Sequence, residues 1–184
     1  MKTTDQLLRL ISFSSLFAMA CGPSLESMHE RATTGQVQDD APLHARQSIV
    51  INASRHEVYA LLTDFGGWPR WQPSIRKVTP PPEVAPGARF TWVNGSSEIS
   101  SQLAAVKADE LLAWTGSVST AKAAHVWRFS SPTPDTTQVD VEETMDGFLL
   151  TWFYGQKDLD AEMTRSLANL KKAAESAAPE RAEK

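Results

Sequence analysis

The chain has 184 residues, 41% of them hydrophobic and 22% charged, which is the makeup of about one soluble folded domain of ordinary size. A formal net charge of −4 with no basic stripe argues against nucleic acid as a partner. A single cysteine excludes an intramolecular disulfide and a two-cysteine metal site.

The first element in chain order is a leader. Lys2 and Arg9 precede an uncharged stretch, Leu10 to Ala20, that ends at Cys21. A basic start, a short apolar run and small residues at its end predict a secretory signal peptide over residues 1–20. The run is too short for a comfortable membrane span, which takes about 20 residues. Cys21 directly after Ala18-Met19-Ala20 resembles a bacterial lipobox, in which the cysteine receives a diacylglyceryl group and becomes the new N-terminus. Ala18 stands where Leu is usual, and Met19 is atypical. The alternative is an ordinary leader cut after Ala20, which leaves Cys21 a free thiol. The lipobox implies an exported, membrane-anchored lipoprotein of the bacterial envelope, on the periplasmic face or at the cell surface. Gly22 after the cysteine, in place of Asp, is similar to lipoproteins released to an outer membrane.

Residues 21–45 read as a flexible, lipid-anchored tether. They are polar and aperiodic, and offer too little apolar surface to fold. The folded domain is expected over 46–178, with a disordered tail over 179–184. Gln47–Ile51 is a β-branched run that predicts a first strand. Ser54-Arg55-His56-Glu57 fits a capping box, and Val58, Leu61, Leu62 and Phe65 repeat behind it at helical spacing. Gly66-Gly67 stops that helix, and Trp68–Trp71 follows as a short second helix or turn.

The apolar period then falls towards two. Strands are predicted at Ser74–Thr79, Arg89–Val93, Glu98–Lys107, Leu111–Val118, Ala123–Phe129 and Thr137–Met145, separated by turn formers such as Pro86-Gly87 and Asn94-Gly95. Short connections between consecutive strands predict an antiparallel meander. The last element, about Lys157 to Ser176, carries Leu159, Met163, Leu167, Leu170 and Ala174 on one stripe, an amphipathic helix with one face on something apolar.

Residues as well as element order carry a family resemblance. Ile49-Val50-Ile51-Asn52-Ala53-Ser54, Glu57 to Phe65, Trp68 and Trp71-Gln72-Pro73-Ser74-Ile75 resemble the opening of the SRPBCC (START/Bet v 1-like) superfamily, in its polyketide cyclase/dehydrase-like subgroup. Pro86–Trp92, Leu112–Gly116, His125-Val126-Trp127 and Glu143–Gly147 are further matches. The resemblance implies an α+β helix-grip fold, a curved antiparallel sheet of about seven strands (β-α-α-β6-α) wrapped around a long C-terminal helix. It also implies a deep, largely apolar cavity between the two. It does not imply one activity, since members range from lipid carriers to cyclases.

Strand alternation selects the side chains that face such a cavity. An unpaired Arg128 would be costly to bury, so His125, Trp127 and Phe129 point inward on their strand. Val141 and Glu143 do so on the next, with Leu112 and Trp114 on the preceding one; Phe90 and Trp92 join them if a bulge lies nearby. The helix adds Met163 and Leu167. Gly147 to Tyr154 is too apolar for an exposed loop, so Phe148 and Trp152 belong either to the packed lead-in of the last helix or to a portal that touches a hydrophobic ligand.

His125 and Glu143 fall on adjacent antiparallel strands, and a carboxylate beside an imidazole is a common acid/base pair. They are the candidate catalytic residues; the alternative is a polar patch that orients a ligand. Neither a metal nor a cofactor is expected. Three functions follow. The first is an envelope-tethered binding protein for an apolar small molecule or lipid. The second is a cyclase, dehydratase or isomerase using the His–Glu pair. The third is a structural envelope interaction protein with a closed cavity.

Overall fold

The computed structural model describes residues 22–118, 120–148 and 150–177. The leader, Cys21 and the tail lie outside the described residues. The elements are α1 (Leu25–Thr33), β1 (Leu43–Ile51), α2 (Arg55–Thr63), a 3-10 turn (Phe65–Gly67), α3 (Trp68–Trp71), β2 (Ile75–Thr79), β3 (Arg89–Asn94), β4 (Ser97–Lys107), β5 (Leu111–Ser117), β6 (Ala121–Thr133), β7 (Thr136–Gly147), α4 (Leu150–Phe153) and α5 (Gln156–Ala177). The seven strands form one antiparallel sheet in the order β1-β7-β6-β5-β4-β3-β2, curved around α5. This is the α+β helix-grip fold.

Local chemistry sets the element ends. The Ser54 hydroxyl accepts from the Glu57 amide while the Glu57 carboxylate accepts from the Ser54 amide, so two free donors at the start of α2 are satisfied. The β3–β4 turn falls at Gly95-Ser96, one residue later than the Asn94-Gly95 dipeptide suggests, with Gly95 at φ +58. No bulge in β3 is needed to bury Phe90 and Trp92. The register shifts instead between Ile75 and Lys77 on β2 and between Leu103 and Ala105 on β4.

The core has two layers, one on each face of the sheet. On the concave face, Leu159, Met163, Leu167, Leu170 and Ala174 of α5 pack on Leu112, Trp127, Phe129, Val139 and Val141. On the convex face, a smaller cluster joins Ala104, Ala105, Leu111, Ala113, Ala124 and Val126 to Met28, Ala32 and Val37.

That second cluster corrects the expectation of a flexible tether over 21–45. Ser24 caps α1 by accepting from the Ser27 amide, and Met28 and Ala32 are fully buried. Four alanines on the sheet leave a shallow bed in which a helix bearing few apolar side chains can still exclude water. Past α1, Gly35 turns the chain at φ +75, and its carbonyl accepts from Arg128 Nη2. His29 Nδ1 lies 2.9 Å from Thr115 Oγ1. β1 then opens at Leu43, ahead of the predicted Gln47.

Beside this layer Glu142, 3% exposed, meets Arg46 Nη2 at 2.5 Å, His44 Nε2 at 2.9 Å and Arg128 Nη1 at 3.3 Å. Burial pushes its pKa up. Hydrogen bonds from Arg46 and His44, with the fields of Arg46 and Arg128, outweigh that and hold it below the usual carboxylate value. A depressed folded-state value stabilises the fold above the unfolded-state pKa, and the stabilisation is lost as pH falls through the folded one. Glu142→Gln is therefore expected to lower stability by about 1–3 kcal/mol at neutral pH and to flatten its decline below about pH 4.5. Urea unfolding at pH 7 and pH 3 measures both. An unchanged acid slope would show that Glu142 does not govern it.

Candidate functional site

Cross-strand pairing builds the floor of a cavity row by row. Leu103, Trp114, His125, Glu143 and Ala45 lie opposite one another in a line across β4, β5, β6, β7 and β1. On either side run a row with Leu112, Trp127 and Val141 and a row with Gly116, Ala123 and Met145. α5 and the α2–α3 crossing roof these rows over. The cavity so formed has a volume of about 380 Å³.

The walls are mostly aromatic. Trp114 stacks on Trp127 (centroids 6.1 Å apart, 14° between planes) and on the His125 ring (4.8 Å, 18°), while Trp68 meets Trp92 edge to face at 5.8 Å. Such contacts hold large rings in fixed positions, so the cavity has defined walls. Trp68 donates its indole N–H to the Leu62 carbonyl at 2.8 Å, and Trp92 donates to Ser101 Oγ at 3.0 Å. The indole N–H groups of Trp71, Trp114 and Trp127 are buried with no acceptor among the described residues. All three residues line the cavity.

Polar groups gather along one side. His125 Nδ1 lies 3.2 Å from Glu143 Oε2, with both side chains mostly shielded. Across the mouth, Glu162 of α5 accepts from Asn94 Nδ2 at 2.6 Å and from the Tyr154 hydroxyl at 2.9 Å. Burial first, then the neighbouring Glu162 carboxylate and its hydrogen bond, push the Tyr154 phenol far above its ordinary value, so it remains a donor. Deeper in, Gln72 Nε2 donates to Ser166 Oγ at 2.8 Å. A carboxylate–imidazole pair facing an apolar chamber can exchange a proton with a bound molecule or orient one by hydrogen bonding.

Of the side chains selected from sequence, Trp92, Trp114, His125, Trp127, Val141, Glu143 and Met163 line this cavity. Phe90, Leu112, Phe129 and Leu167 sit behind them in the core. Phe148 and Trp152 do neither, being 81% and 76% exposed. The segment from Gly147 to Tyr154 divides by residue. Leu150 and Tyr154, four apart on α4 and its end, face the cavity, while Phe148, Trp152 and Phe153 face outward. Sequence reasoning missed Leu62, Trp68, Trp71, Asn94, Tyr154 and Glu162. Glu162 adjoins Met163, and that adjacency was the available signal.

Comparison with known proteins agrees with this geometry. Residues 42–175 match the family model described as polyketide cyclase / dehydrase and lipid transport. No curated protein matches the chain. Among solved structures, a hypothetical protein from Helicobacter pylori is 12% identical over 74% of this chain and 90% of its own, with a TM-score of 0.64. A START superfamily protein from Mycobacterium smegmatis is 14% identical over 73% of this chain and 95% of its own, with a TM-score of 0.56. The Zhui aromatase/cyclase from Streptomyces is 15% identical over 72% and 93%, with a TM-score of 0.60. At such identities these likenesses establish the fold. The family model, spanning most of the chain, establishes more: this protein belongs to the polyketide cyclase/dehydrase and lipid transport family.

Proposed function

We propose that the protein is an envelope-tethered binding protein that holds an apolar, oxygen-bearing small molecule or lipid in the cavity between sheet and α5. The observation that carries this reading is the chamber itself, about 380 Å³ walled by Trp68, Trp92, Trp114, Trp127 and Met163. Apolar surface moved from water into such walls yields about 25 cal/mol per Å² before ordering costs. The polar side chains on the lining, His125, Glu143 and Tyr154 among them, give the ligand its second property, a carbonyl or hydroxyl oxygen that pairs with them. The lipobox-like Cys21 supplies the tether, through a diacylglyceryl group.

Native mass spectrometry and solvent extraction of the purified protein are the test, and an oxygen-containing lipophile in stoichiometric amount is expected. A cavity that stays empty after exposure to membrane lipid extract would overturn the reading. For the anchor, Cys21→Ser is expected to move the protein from the membrane to the soluble fraction. A wild-type protein already soluble would refute lipidation.

The contact between His125 and Glu143 favours a second reading, an enzyme of the cyclase, dehydratase or isomerase type. On that reading the pair takes a proton from a carbon next to a carbonyl and returns it elsewhere. His125→Ala is then expected to lower turnover 100-fold or more with ligand affinity nearly unchanged. Equal loss of both assigns the pair to binding.

A further inference from the structure

Three large aromatics stand in solvent at one corner of the molecule. Phe148 is 81% exposed, Trp152 76% and Phe153 86%. All the other exposed large hydrophobics among the described residues are aliphatic and at most 45% exposed. The corner is not a loose excursion. Gly147 at its base is packed so closely that a side chain there would collide with the Thr120 carbonyl, and the Tyr154 amide donates to the Leu150 carbonyl at 2.9 Å. The α4 turn thus has an inner face, Leu150 and Tyr154, on the cavity, and an outer face of bare rings.

The same end of the sheet receives the N-terminus. Gly22 lies against the Asp146 carboxylate, which a side chain at that position would have to displace. Asp146 pairs with Lys122 Nζ at 2.8 Å and is two residues before Phe148. From Gly22, α1 runs away along the convex face: His29 reaches Thr115 midway, and Gly35 meets Leu111 and Arg128 at the far end. The cavity mouth, bounded by Ser117, Val118, Thr120 and Lys122, opens at the near end. Three features therefore share one end of the fold: the point where residues 1–21 join the domain, the entrance to the cavity, and the exposed rings.

We propose that this end is a membrane-docking surface. Phe148, Trp152 and Phe153 insert into the interfacial layer of a lipid bilayer and hold the cavity mouth against it. Indole and phenyl rings are favoured at that depth, and a contiguous exposed aromatic patch beside a cavity mouth marks a surface that meets something apolar. The point of attachment selects a bilayer over a second copy of the chain. Residues 1–21 carry the apolar run Leu10 to Ala20 and the lipobox-like Cys21, and Gly22, to which they are joined, lies against Asp146, two residues before the first ring. Residues 147–156 hold no Lys or Arg, so attachment through the rings depends on apolar burial and is insensitive to salt. The inference gives a route to the ligand reading above, but its geometry stands apart from what the cavity holds.

Every contact described lies within residues 22–177, so a chain that starts at residue 21, with Cys21→Ser, keeps the described fold and lacks both leader and lipid. Sedimentation with vesicles of phosphatidylethanolamine and phosphatidylglycerol is expected to bring this protein down, equally in 0.1 M and 0.5 M salt. The F148S/W152S/F153S variant should bind at least tenfold less, with unchanged thermal unfolding and unchanged ligand content by native mass spectrometry. Phe153→Asp alone, at the most exposed of the three rings, should lose a large part of the same binding. Failure of the unsubstituted chain to bind vesicles overturns the proposal, as does equal binding by the triple variant. A dimer in sedimentation velocity that the triple substitution dissolves, without vesicle binding, assigns the rings to self-association. An empty cavity with intact vesicle binding would refute the ligand reading and leave docking standing.

Discussion

Replacing Met28 by Asp is expected to lower the unfolding free energy by about 4 kcal/mol or more, enough to unfold much of the protein at 37 °C. Met28 is fully buried between α1 and the alanine-lined convex face. A carboxylate placed there has no cation facing it within the cluster, because Arg128 is already engaged by Glu142 and the Gly35 carbonyl. Met28→Ala removes packing without adding charge and should cost about 2–4 kcal/mol. Urea denaturation of both variants provides the measurement. If residues 22–37 were only a tether, both would match wild type, so the experiment separates a structural helix from a linker. Exposed Thr33→Asp serves as the control at the same helix, with a change of about 0.5 kcal/mol or less.

Trp114→Ala is the second substitution with a large expected effect. The indole is 3% exposed and stacks between His125 and Trp127 with Trp68 at 5.8 Å, so its loss removes a wall of the cavity and part of the core together. A cost of about 3–5 kcal/mol in stability is expected. Trp114→Phe keeps most of the packing and removes the unpaired N–H, and should cost about 1–2 kcal/mol or less because no made hydrogen bond is broken. The two variants also test the wall in ligand binding. Under the reading given above, Trp114→Ala weakens a bound lipophile about tenfold or more, while Trp114→Phe, which keeps an aromatic wall, weakens a fatty alcohol and an alkane of equal size alike and by less. Calorimetric titration with the matched pair makes that comparison, and unchanged affinity in Trp114→Ala would place the ligand elsewhere.

The concave half of the molecule was legible in the sequence because its signals are periodic. Leu112 and Trp114 alternate on one strand and His125 and Trp127 on the next, and Leu159 to Ala174 recur at helical spacing; each rule returns the face that the fold buries. The convex half was less legible for a specific reason. Ala124 and Val126 alternate with the inward His125, Trp127 and Phe129, and Ala104 and Ala113 share their face, yet a row of small apolar side chains needs a cover. Met28 and Ala32, four apart on α1, with Val37 just beyond it, are that cover. Their apolar content falls below what periodicity alone detects, since an alanine bed lets one methionine and one alanine do the sealing. At the site, Glu162 falls outside the apolar stripe of α5. A helix lying at the edge of a cavity presents its boundary residues to it, so Glu162 belongs to the mouth together with Tyr154 and Asn94. The exposed rings at Phe148, Trp152 and Phe153 illustrate the reverse limit, because hydrophobicity predicts burial but cannot say by what.

The pairing of β1 with β7 governs when the fold can form. Leu43 lies opposite Met145, about 100 residues further along the chain, and Ile51 opposite Thr137. β1 is therefore an edge strand whose neighbour is the last to be made, and no shorter piece of the chain satisfies its ladder. A nascent chain holds β2 to β6 as a local meander but leaves one edge and the seat of α5 open. Loop closure over that length makes completion slow. Chevron kinetics should place refolding in the millisecond-to-second range, with β1 substitutions such as Ile51→Ala changing mainly the unfolding arm.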